Sequence, residues 1–191
     1  VGFGNHARKV RDSRLPYPWR VSALRSCVQL YRPLGFNATL SYLQSKAGRF
    51  RSDEAALLGA LNLIEASRAA LRVELETYAA RRREAKRQGR RSPRAEDANP
   101  NRQCRWYWYG APQEAARHAL WFWSRHRPPL SGGPVLEELG GCVQACLDAG
   151  GVFAEAERGL LGARLKGLER RLPTPELLRV VRHIEVAAGL R

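Results

Sequence analysis

The sequence predicts an all-α protein: a helical bundle with one long projecting helix, an extended basic N-terminal arm and a small C-terminal helical bundle. Three observations predict it. Apolar residues from Ser52 to about Gln88 recur at steps of three and four, which lays one stripe along a helix. Ala, Leu, Glu and Arg, all good helix formers, dominate that stretch. Proline and glycine separate the remaining apolar segments, where helices start and stop.

The long helix organises the rest. Ser52 is the expected N-cap, followed by Asp53 and Glu54, where the helix dipole favours negative charge. Leu57, Leu61, Ile64, Leu71, Leu75 and Tyr78 form the stripe, with Arg68 in its one gap. At about 1.5 Å per residue the helix runs on the order of 54 Å, too long for one small domain to cover. Its first part is expected to pack and its last part to project. Gly89 ends it and Ser92-Pro93 prevents resumption.

Before that helix, residues 1–18 read as an extended basic arm. Gly2, Gly4, Pro16 and Pro18 oppose helix there, and His6, Arg8, Lys9, Arg11 and Arg14 supply charge. Residues 19–94 hold the N-terminal helices, the long helix and an arginine-rich block. A short helix is expected from Trp19 to Arg32, started by Pro18, with Val21, Leu24, Val28 and Tyr31 on one face. A second is expected from an Asn37 cap to about Ala47. These two and the long helix would make a compact group with basic loops.

Residues 95–133 read as a polar linker followed by an aromatic segment. Trp106, Tyr107, Trp108 and Tyr109 form a first cluster ahead of Gly110, and Trp121, Phe122 and Trp123 a second. Pro112 opens a helix to about His126, stopped by Pro128 and Pro129. Aromatics beside arginine can stack on unpaired bases. The commoner use is as anchors into a core or partner, so Trp106, Trp108, Trp121 and Trp123 are read as partner-binding. Residues 134–191 predict a three-helix bundle: from Pro134 to the Gly150-Gly151 stop, from Val152 to Leu172, and from Thr174-Pro175-Glu176 onward.

Charge decides the function class. The 191 residues carry a formal net charge of +15, and only Lys9, Lys46, Lys86 and Lys166 of the 33 basic residues are lysine. Arginine offers a planar fork suited to phosphate, although a GC-rich genome also enriches Arg, Ala and Gly. Residues 1–52 carry ten basic and one acidic side chain, and residues 81–94 carry eight and one. Residues 134–191 carry eight of each. A polyanion surface is therefore expected at Arg8, Lys9, Arg11 and Arg14, and at Arg81, Arg82, Arg83, Lys86, Arg87, Arg90, Arg91 and Arg94. The competing reading of the block is a solvated helix tip or a nuclear-localisation-like patch.

No assembled chemistry is expected. Cys142 and Cys146 share a helix face, but Cys27, Cys104, His118 and His126 are too scattered to complete a zinc set. His118 and His126 have no orienting neighbour nearby in sequence. Glu137 and Glu138 point to different sides, and no phosphate-binding glycine motif is present. No stretch approaches the roughly 18 apolar residues of a membrane span. The expected partners are RNA, most simply rRNA, and neighbouring proteins of a large assembly, with no cofactor, metal, small-molecule substrate or catalysis. The rival is a helical adaptor for an acidic partner such as a cytoskeletal lattice. The first 25 residues, Arg-rich and nearly free of acid, and the Val1 start suggest a processed mitochondrial protein; otherwise a cytoplasmic or nuclear one.

Overall fold

The computed structural model describes residues 2–90, 106–126, 133–172 and 174–190. Eight helices occupy them, with no strand among the described residues: α1 (Phe3–Arg11), α2 (Tyr17–Leu30), α3 (Phe36–Ala47), α4 (Glu54–Arg87), α5 (Pro112–His126), α6 (Gly133–Asp148), α7 (Glu155–Glu169) and α8 (Pro175–Ala187). The all-α expectation holds. The chain divides into two compact units, residues 1–33 with 46–110, and residues 34–45 with 111–191. Most of α3 thus groups with α5 to α8.

The first unit corrects the N-terminal arm. Phe3–Arg11 is a helix packed on α2 and α4. Phe3, Ala7 and Val10, at i, i+4 and i+7, are buried. Burying Phe3 and Val10 is worth roughly 1.5–3 kcal/mol each. That exceeds the cost of about 1 kcal/mol for Gly4 inside the helix. Arg68, the gap in the long stripe, holds its guanidinium 4.4 Å from the Phe3 ring centre.

A buried arginine ties this unit together. Arg20 is only 3% exposed. Its Nε donates to the Val10 carbonyl in the last turn of α1 at 2.8 Å, and its Nη2 to Glu54 in the first turn of α4 at 2.6 Å. One guanidinium on α2 therefore satisfies an orphan carbonyl of α1 and a carboxylate that the α4 dipole favours. Arg11 adds a second link from α1, to Glu65 and Asn62 of α4.

The long helix starts one residue later than expected. Ser52 donates to the Arg49 carbonyl at 3.4 Å within the preceding turn, and Asp53 is the cap, accepting from the Ala55 N–H at 2.9 Å. Ala56, Leu57, Ala60, Leu61, Ile64 and Ser67 are buried. From Arg68 to Arg90 only Ala85 is, and Val73 is 61% exposed.

In the second unit α5 packs on α6 and α8, and α6, α7 and α8 pack on one another. Leu139, Cys142, Val143 and Cys146 of α6, Leu161, Leu165 and Leu168 of α7, and Val180, Val181 and Ile184 of α8 are buried. Gly151 must be glycine: at φ 80° a Cβ there would meet the Ala187 carbonyl oxygen at 2.6 Å. The second helix of this bundle is shorter than expected, because the Ala154 backbone is extended and its N–H is taken by Glu157 at 2.9 Å. Glu138 of α6 receives Arg164 at 3.2 Å and Arg171 at 2.7 Å.

Three variants test these links. Arg20→Ala lowers unfolding free energy by about 3 kcal/mol, because it orphans a buried carbonyl and a charge partner. Glu54→Gln, at a side chain 55% exposed, costs about 1 kcal/mol or less. Equal losses in urea unfolding would contradict the buried tie. The two arginines hold the Glu138 carboxyl below its usual range. Its contribution is present above the ordinary carboxylate pKa of about 4.3 and fades as pH falls through the lower folded value. Glu138→Gln therefore narrows the stability gap to wild type below pH ~4; a gap that widens on acidification would refute the assignment.

Candidate nucleic-acid interface

The cationic end of α4 is built by helix periodicity and a glycine stop. At 3.6 residues per turn, about 100° each, Arg82, Lys86 and Arg83 fall within roughly 100° of arc. Gly89 takes φ 74°. That left-handed turn lets the Gly89 N–H reach the Lys86 carbonyl at 3.1 Å and the Arg90 N–H reach the Ala85 carbonyl at 2.8 Å. The fold-back brings Arg90 to the same side. Ala79, Arg82, Arg83, Lys86, Gly89 and Arg90 line one surface pocket of about 690 Å³.

The block's cations are not equivalent. Arg87 pairs with Glu84 at 3.4 Å, and Gln88 binds the same carboxylate at 2.8 Å. Arg90 donates to the neutral Gln88 amide and makes no ion pair among the described residues. Arg82, Arg83 and Lys86 are exposed and make no ion pair among the described residues. Arg81 is exposed on the side of Arg82 away from Arg83. Arg91 and Arg94 lie outside the described residues.

The N-terminal cations sit elsewhere and are differently used. Arg11 is held by Glu65, sixteen residues before Arg81 and so ~24 Å from it along the helix. Arg14 pairs with Asp12 at 2.8 Å, which holds the Asp12 carboxyl below its usual range. Arg8 donates to Asn5, and Lys9 is exposed. The structure does not bring Arg8, Lys9, Arg11 and Arg14 together with the α4 block.

The aromatic residues also separate. Trp108 is buried, at 4% exposure, and Trp106 half-buried. The Tyr107 and Tyr109 rings meet edge-on at 5.0 Å. The Tyr109 N–H donates to Ser67 Oγ at 3.0 Å, and that hydroxyl is 2.8 Å from the Tyr31 hydroxyl. Ser67, 1% exposed, is thus the polar peg joining the first aromatic cluster to α2 and α4. Sequence reasoning passed over it; its signal was a small polar residue on the apolar stripe, between Ile64 and Leu71. Trp121 is 39% exposed under the Arg125 guanidinium, and Trp123 is half-buried.

The remaining chemistry-bearing groups lie within the helices. Burial pushes the Cys27 and Cys146 thiols up to about 11, which favours the packed neutral form over a thiolate ligand. Cys104 lies outside the described residues. The fold supplies His118 a neighbour that sequence proximity does not: Ser41 Oγ of α3 is 2.9 Å from His118 Nε2. Tyr42 meets the His118 ring edge-on, and burial, then nearby Glu114, pushes its hydroxyl up to about 12. His126 Nδ1 lies 2.9 Å from the Phe122 carbonyl one turn back. Among the described residues no helix is long and apolar enough to cross a membrane.

No protein-family model, curated protein or solved structure matches the chain.

Ser67→Ala removes the shared partner of the Tyr31 hydroxyl and the Tyr109 N–H. The expected loss is about 1–3 kcal/mol in thermal unfolding, with a red shift of tryptophan emission as Trp108 meets water. A loss under ~0.5 kcal/mol with unchanged emission would contradict the peg.

Proposed function

We propose that the protein is a non-catalytic, structural RNA-binding component of a large ribonucleoprotein, in particular a mitochondrial ribosomal protein. The observation that carries the reading is the cluster of exposed cations at the end of α4. Arg82, Arg83 and Lys86 have no carboxylate opposite them among the described residues, whereas Arg11, Arg14 and Arg20 each do. An uncancelled cluster of this kind repels itself and is favoured when phosphates neutralise it. The helix dipole opposes anion binding at a C-terminus, but its charge of about −0.5 is small beside four cations.

The far half of α4 serves as a projecting probe that reaches into RNA. Its scarcity of buried positions after Ser67 supports that role. The half-exposed Trp121 and Trp123 contribute to docking on neighbouring proteins, and the first aromatic cluster contributes less, since Trp108 is spent inside its own unit. The mitochondrial setting rests on composition alone, the Arg-rich and acid-poor first 25 residues, which in the fold build α1 and the start of α2.

Treating a native lysate with ribonuclease tests the proposal. The protein is expected to move from fast-sedimenting fractions to the top of a gradient once RNA is digested. Unchanged sedimentation in a particle free of nucleic acid would overturn the proposal and favour an adaptor on an acidic protein lattice.

A further inference from the structure

The end of α4 has more specificity than a diffuse charge cloud. Arg82 and Lys86 are one turn apart, about 6 Å along the axis, and Gly89 returns Arg90 to the same strip. Successive phosphates of one nucleotide strand have a comparable spacing. The strip spans little more than a quarter of the helix circumference. Arg87, at its edge, is already partly cancelled by Glu84. The four lining cations share that strip and can follow one backbone, while Arg81 is exposed outside it. The described lining is four cations, an alanine and a glycine, with no aromatic ring on which a base could stack.

Building on the RNA-binding reading, we infer that Arg82, Arg83, Lys86 and Arg90 form a site for consecutive phosphates of a single nucleotide strand, read by charge and spacing rather than by base or sugar. Arginines offer paired N–H groups to phosphate oxygens, and Lys86 acts as a point charge between them. Gly89 is the positioning residue, because a side chain there strains the turn that brings Arg90 back. The ligand class is a flexible polyphosphate backbone of RNA or DNA.

Fluorescence anisotropy of the full 191-residue chain tests this with labelled oligouridine, oligothymidine and an RNA duplex. The two single strands are expected to bind within about threefold of each other and at least tenfold more tightly than the duplex. Four neutralised phosphates predict a slope of log K against log salt of about −3 for a single strand. Replacing Arg82, Arg83, Lys86 and Arg90 together by Gln is expected to weaken strand binding at least tenfold and bring the slope near zero. Replacing Arg81 and Arg87 by Gln is expected to cost less than threefold. Gly89→Val, with its helix content checked by circular dichroism, is expected to cost several-fold and to lower the slope by about one. Inorganic polyphosphate is expected to displace the strand, and polyglutamate of equal charge is not.

Wild type that binds no nucleic acid overturns both this inference and the RNA-binding reading. Strand binding that survives the fourfold change overturns the inference alone and leaves the reading to other cations. Tighter binding of the duplex, or equal displacement by polyglutamate, also overturns the single-strand assignment.

Discussion

The first unit depends on a single buried guanidinium. Removing Arg20 from water costs several kcal/mol unless every donor finds a partner. The Val10 carbonyl takes its Nε–H and the Glu54 carboxylate an Nη2–H, from two other helices. The start of α4 is thereby fixed against α1 and α2. What happens along the next 34 residues is set by helix continuity from that point. The cap at Asp53, the apolar positions up to Ile64 and the hydroxyl of Ser67 act on the near half. The far half has one buried side chain, Ala85, among the described residues and ends in cations.

Arginine therefore has two uses within one unit. Arg11, Arg14 and Arg20 face carboxylates and contribute to the fold. Arg82 and Arg83, with Lys86, face none among the described residues. Net charge alone does not distinguish these uses, and an N-terminal region of net +9 is partly occupied with its own structure. Among the described residues, Arg82, Arg83 and Lys86 at the end of α4 are exposed together without a carboxylate, which is the asymmetry the proposed function rests on.

Much of the fold was legible because its apolar spacing is strong. The α4 stripe gave a helix ending within a residue of Arg87, and Pro112 and His126 bounded α5 as read. The helix α1 was hidden because Gly2 and Gly4 signal irregular backbone, while its stability comes from the burial of Phe3, Ala7 and Val10. Tertiary burial outweighed local propensity there. Burial of Arg20 was illegible, since an arginine in a basic segment reads as surface. The block at 81–94 was visible as composition. Its internal division was not, because it depends on which side of the helix each residue takes and on the Glu84 pairing. The pairing of Ser41 with His118, far apart in the chain, needed the fold.

On the proposed function, the α4 cations are cancelled by a nucleotide chain. Ultraviolet cross-linking in the native assembly, with adducts mapped by mass spectrometry, tests it most directly. Nucleotide adducts are expected on the peptide spanning Ala79 to Arg90. Recovery of that peptide joined to acidic polypeptide by a chemical cross-linker, with no nucleotide adduct, would contradict it.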